Sequence, residues 1–152
     1  MGTENILVAN NGRSGITTEF TLYYPAGGSL DLAGNVFIAG GNYEPCIFKV
    51  TLSTGNITVL AGIGSFGTNS MGYNGDDILA TKAKLFDPEQ VAFDASDNMF
   101  INDARNNRIR RVSASTGIIT AVAGTGEKDG LPASGSTAVG DGGSATLQSI
   151  QI

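Results

Sequence analysis

Residues 88–124 read Pro-Glu-Gln-Val-Ala-Phe-Asp-Ala-Ser-Asp-Asn-Met-Phe-Ile-Asn-Asp-Ala-Arg-Asn-Asn-Arg-Ile-Arg-Arg-Val-Ser-Ala-Ser-Thr-Gly-Ile-Ile-Thr-Ala-Val-Ala-Gly. Short apolar runs at 90–94, 99–102, 109–113 and 118–123 alternate with turn chemistry. Ala95-Ser96-Asp97-Asn98 fills the first gap, the stretch from Asp103 to Asn107 the second, and Ser115-Thr116-Gly117 the third. Asp and Asn favour turns because their side chains bond nearby backbone and tolerate left-handed angles. Apolar residues fall on both alternation phases, which predicts strands covered on both faces. No stretch with a convincing period of 3.6 and helix caps interrupts them.

The same unit occurs earlier in the chain. Pro25 matches Pro88, Asp31 matches Asp94 and Asn35 matches Asn98, all at a spacing of about 63 residues. Val36-Phe37-Ile38 matches Met99-Phe100-Ile101. After a one-residue adjustment, Ser53-Thr54-Gly55 matches Ser115-Thr116-Gly117, and residues 57–62 match residues 119–124. Gly75-Asp76 and Ala80-Thr81 match Gly140-Asp141 and Ala145-Thr146. A fixed long period decides architecture before any single residue does. Antiparallel units of four short strands, each sheet packed between neighbours, describe propeller blades.

Composition agrees with many short strands. The 152 residues are 41% hydrophobic and only 15% charged, with 22 glycines. The net charge of −5 argues against a protein built around nucleic-acid phosphates. Cys46 stands alone, which excludes an internal disulfide framework and a multi-cysteine metal site. There is no histidine, so the commonest general base and metal ligand are missing. No run of 18 apolar residues is present to span a membrane, and residues 1–6 do not read as a secretory signal. Nothing in the chain points to a cofactor or a resident metal.

The stretch from Asn98 to Val112, with the trailing runs 119–126 and 140–146, resembles the NHL repeat. The likeness covers residues 22–150 and is specific in the second copy. It implies blades of four antiparallel strands and no particular reaction. In the first copy Gly40, Gly41, Asn42, Tyr43, Glu44 and Pro45 stand where residues 103–108 stand in the second, so the Asp and Arg of the motif are lost there. The fold expected is all-β: an open, incomplete propeller with a partial blade or irregular segment over 1–21, a first blade over 22–87 and a second over 88–152. Gly15-Ile16-Thr17 weakly resembles the final strand of a preceding unit. Two blades cannot close a ring, so either a longer chain or self-assembly is expected to complete it.

Strand direction alternates, so the turn between the second and third strands shares a side with the long inter-blade loop. That side is expected to hold any binding site, with Asp103, Arg105, Asn106, Asn107 and Arg108, Tyr43 and Glu44, and Asp141 as the candidate residues. A structural reading stands beside it, in which Asp103 and Arg108 pair across a tight turn. Arg105, Arg108, Arg110 and Arg111 could form an anionic-ligand or RNA patch. Strand alternation sends Arg110 and Arg111 to opposite faces and argues against one. Asp141 in Gly-Asp-Gly-Gly lacks the carboxylates a calcium site needs. The glycine pattern at residues 62–67 is followed by no helix and is rejected as a dinucleotide motif. Asn56-Ile57-Thr58 is a glycosylation sequon. The function expected is a non-catalytic scaffold that binds a protein partner through these loops. A fragment of a propeller enzyme, lyase or lactonase in type, and an RNA-binding propeller are the alternatives.

Overall fold

A computed structural model describes residues 14–16, 22–64 and 68–126. Among them, strands β1 (Ser14–Ile16), β2 (Pro25–Leu30), β3 (Val36–Gly40), β4 (Cys46–Thr51) and β5 (Asn56–Ala61) form one sheet. Strands β6 (Ile78–Leu79), β7 (Pro88–Phe93), β8 (Met99–Asp103), β9 (Arg108–Val112) and β10 (Ile118–Ala123) form the other. The first sheet runs β1-β5-β4-β3-β2 and the second β6-β10-β9-β8-β7, so the two have one topology. All strand pairs within these sheets are antiparallel. Among the described residues, helical geometry is confined to three 3-10 turns of three residues each.

Each sheet is the expected four-stranded meander plus one short outer strand. Strand β1 supplies that outer strand to the first sheet, with Gly15 and Ile16 opposite Ile57 and Asn56 of β5. Strand β6 does the same for β10, with Ile78 opposite Ile119. A short strand laid along the outer edge satisfies backbone groups that would otherwise template association.

The repeated residues hold the same hairpins in both copies. Asp31 Oδ1 accepts from the Asn35 backbone N–H at 2.8 Å, and Asp31 Oδ2 accepts from Asn35 Nδ2 at 2.8 Å. Asp94 and Asn98 repeat both bonds at 2.9 Å. These contacts, led by the side-chain bond from the Asn, hold both carboxyls below the ordinary range. The position between needs left-handed backbone and is Gly34 in one copy and Asp97 in the other. At the third turn, Thr54 and Thr116 hydroxyls each accept a backbone N–H two residues on, at 3.3 Å.

The main core lies between the sheets. Phe37, Ala39, Ile47 and Ala61 from the first meet Leu85, Val91, Met99, Ile101, Val112 and Ile119 from the second. The inner strands β2 and β7 are the closest inter-sheet neighbours. A Cβ on Gly27 would overlap the Gln90 side chain and the Glu89 carbonyl, so only glycine lets these strands approach. Phe37 and Phe93 meet edge to face across the seam, their ring centroids 4.4 Å apart. A second cluster of Cys46, Phe48, Ile57 and Val59 lies on the other face of the first sheet. Sheets stacked face to face with their first strands innermost are propeller blades. The molecule is all-β, with two such blades and no closed barrel among the described residues.

Candidate functional site

The turns β3–β4 and β8–β9 lie at one end of the sheets, with the segment that links β5 to β7. In the second copy that end is closed by a buried polar network. Asp103 is fully buried at the end of β8. Its Oδ1 accepts from the Phe86 backbone N–H at 2.8 Å, and its Oδ2 accepts from Asn106 Nδ2 at 2.8 Å and Arg110 Nη1 at 3.4 Å. Asn106 also donates to the Gly72 carbonyl at 2.7 Å. Arg110, also fully buried, donates to the Gly75 carbonyl at 3.0 Å and pairs with Asp76 at 3.0 Å. Tyr73 lies beneath the guanidinium groups of Arg108, 4.0 Å from its ring centroid, and Arg110, 4.8 Å away. Its hydroxyl bonds Asp76 Oδ2 at 2.9 Å. Burial and the Asp76 contacts push the Tyr73 phenol up.

The partner of Asp103 is therefore Arg110, two residues beyond the Arg108 that the turn suggests. Arg108 donates instead to the carbonyls of Thr125 at 2.6 Å and Asn106 at 3.0 Å. Its guanidinium occupies the space that a side chain at Gly126 would need. The network straps the inter-blade segment to the blade that follows it.

Burial pushes the Asp103 carboxyl up to about 6, against the opposing pull of Asn106, Phe86 and Arg110. The folded state thus holds a proton between about pH 4 and 6 that the unfolded chain has released. This contribution is fully present below about pH 4 and is lost as pH rises towards 6, in total about 3 kcal/mol. Unfolding measured from pH 4 to 7 is expected to show the stability difference between wild type and Asp103→Asn shrinking with rising pH. A difference that stays flat contradicts this assignment.

In the first copy the two positions equivalent to Asp103 and Arg110 carry no charge. Gly40 pairs with Cys46 as Asp103 pairs with Arg108. Phe48 faces Ile38 as Arg110 faces Ile101. The Phe48 ring fills the space: a Cβ on Gly40 would lie 2.9 Å from its Cε2 and 2.6 Å from the Glu44 carbonyl. Asp with Arg in one blade is replaced by Gly with Phe in the other.

Glu44 is fully buried, as are Asp103 and nearly Asn106, so these candidates present no side chain to a partner at the surface. Asn107 adopts left-handed backbone at φ 49° and is half-buried. Asp141 lies outside the described residues. Arg105 is exposed, its Nε 2.9 Å from Asp87 Oδ2 and its guanidinium over Phe86. Of the four clustered arginines, Arg110 is buried and Arg105 and Arg108 are engaged internally, so no flat basic patch forms. Asn56 of the sequon is half-buried at the start of β5.

Beside the closed network lies an open groove of about 500 Å³ at the seam between the blades. Tyr43 forms one wall, stacked on Tyr24 with ring centroids 5.0 Å apart. Asp87 and Glu89 form the other wall. Tyr24 and Asp87 are equivalent residues, each preceding the first proline of an inner strand, and both are left-handed, at φ 51° and 53°. Non-glycine residues rarely adopt this backbone, and such strain clusters at ligand sites. Tyr24, Asp87 and Glu89 are not among the sequence candidates. The one signal they left was their place against Pro25 and Pro88. A cavity of about 340 Å³ at the opposite end lies over Phe37, Phe93 and Met99, with the Lys49–Asp31 pair at its rim.

No protein-family model matches the chain, and no curated protein matches it. Solved structures do. One is virginiamycin B lyase from Staphylococcus aureus, 17% identical, with 72% of this chain matched to 29% of that one at a TM-score of 0.43. Another is an auxiliary nutrient binding protein from Bacteroides ovatus, 20% identical, with 60% of this chain matched to 23% of that one at a TM-score of 0.43. The chain thus spans under a third of the length of either. No helix among the described residues is long and apolar enough to cross a membrane.

Proposed function

We propose that the chain is an NHL-type propeller segment that binds a protein partner through the end carrying the β3–β4 and β8–β9 turns. The observation that carries this reading is the groove between Tyr43 and Asp87. It joins exposed aromatic rings, carboxylates and strained backbone at the seam of two rigid blades. The hairpins at the other end hold their Asp and Asn side chains in local bonds. Tyr43 and Arg105 are the candidate residues best placed to touch a partner, because Tyr43 is exposed and lines the groove and Arg105 is exposed and paired with Asp87, which lines it. Residues 1–21 as part of a preceding blade, and the units 22–87 and 88–152, belong to the same proposal.

A photo-crosslinking amino acid at Asn42 is expected to trap a partner in cells. The same group at Ser96, on the opposite hairpin, is expected to trap none. Trapping at Ser96 without trapping at Asn42 overturns the choice of face.

A further inference from the structure

Resting on that reading, we infer that the groove recognises a Lys or Arg side chain of an extended partner segment. Tyr24 and Tyr43 are 67% and 58% exposed although both rings are large, and they stack on each other rather than into a core. An exposed tyrosine face attracts a cation and also covers its aliphatic stem. The carboxylates opposite supply the charge. Gly41 keeps Asp87 in the groove, because its missing Cβ would lie 3.2 Å from Asp87 Oδ1. Glu89 is exposed and has no ion pair among the described residues. Two carboxylates thus face one internal cation, leaving net negative charge beside the rings.

Arg105 gives the inference its sign. Its guanidinium already sits on Asp87 Oδ2 at 2.9 Å, with most of its side chain in solvent. A basic side chain in the groove therefore competes with Arg105 for Asp87. Removing Arg105 frees the carboxylate and should strengthen recognition, whereas a groove for an anionic segment would lose a cation. Ala26 and Gly27 of the inner strand line the floor of the groove.

The test uses the full chain and a lysine-centred pentapeptide, Ac-Gly-Gly-Lys-Gly-Gly-NH₂, followed through the ring signals of Tyr24 and Tyr43 by NMR. Saturable shifts are expected, weakened by salt. Arg105→Gln should tighten binding several-fold; Asp87→Asn with Glu89→Gln should weaken it about tenfold, the scale of one charge-assisted contact. Asn tolerates the left-handed backbone at position 87, and each variant's melting curve is compared with wild type. Equal shifts from the same peptide with norleucine in place of lysine, or weaker binding by Arg105→Gln, overturn the inference. Butylammonium binding as tightly as the peptide overturns the choice of a peptide side chain in favour of a free amine. Crosslinking at Asn42 with no response to the lysine peptide would remove the cation and leave the binding face standing.

Discussion

Arg110→Phe is expected to cost about 3–5 kcal/mol of folding stability, and adding Asp103→Gly to it should restore much of that loss. The single change removes the cation from the fully buried Asp103 carboxylate. It also brings a ring onto a residue that carries a Cβ, where the equivalent ring in the first blade leaves none to spare. Asp103→Gly alone leaves Arg110 with Asp76 and the Gly75 carbonyl as acceptors. The double variant recreates the Gly40–Phe48 pair of the first blade. Asn106 and Gly75 lose partners in it, so recovery should be incomplete. A coupling of about 1–3 kcal/mol from denaturant unfolding of all four proteins is expected for residues in one network. If Arg110→Phe does not fold, cooperative melting of the double variant alone still shows the rescue. Additive effects would mean that the two blades do not solve the corner as alternatives.

Phe37→Ala is expected to cost about 3–5 kcal/mol, while Phe100→Ala costs about 1. The two are equivalent in the repeat, yet Phe37 is 3% exposed in the core between the sheets, whereas Phe100 is half-buried on the far face of the second sheet. Phe37 loses its edge-to-face contact with Phe93 and the Lys49 ammonium 5.3 Å above its ring. Removing it opens a cavity that two rigid sheets cannot collapse. Equal costs, measured by denaturant unfolding, would contradict face-to-face packing of the blades.

Most of the architecture was legible from the repeat. Strand β10 has the bounds expected for the run 118–123, β8 runs one residue further at its end, and β9 is shifted by one residue at both ends. The repeat marked Asp31, Asn35, Asp94 and Asn98 as equivalent positions, and their clamps join residues local in sequence. The site was less legible because its contacts are not. Arg110 meets Gly75 across 35 residues, and nothing near Arg110 in sequence announces this. The turn alone favoured Arg108 as the partner of Asp103, since strand alternation decides only which arginine points inward. Tyr24 and Asp87 lie at unremarked pre-proline positions; Tyr24 meets Tyr43 within the first sheet, and only the packing of one blade on the next brings Asp87 to the same groove. Glu44 reads as a polar loop residue, yet the turn folds it inside.

The groove exists only if the two blades meet at the Phe37–Phe93 seam. The most direct measurement is therefore a NOESY spectrum of protein with its seven phenylalanine rings selectively labelled. Ring centroids 4.4 Å apart across the seam should give a strong cross-peak between Phe37 and Phe93. Resolved signals for both rings with no cross-peak between them would contradict the seam and the groove with it.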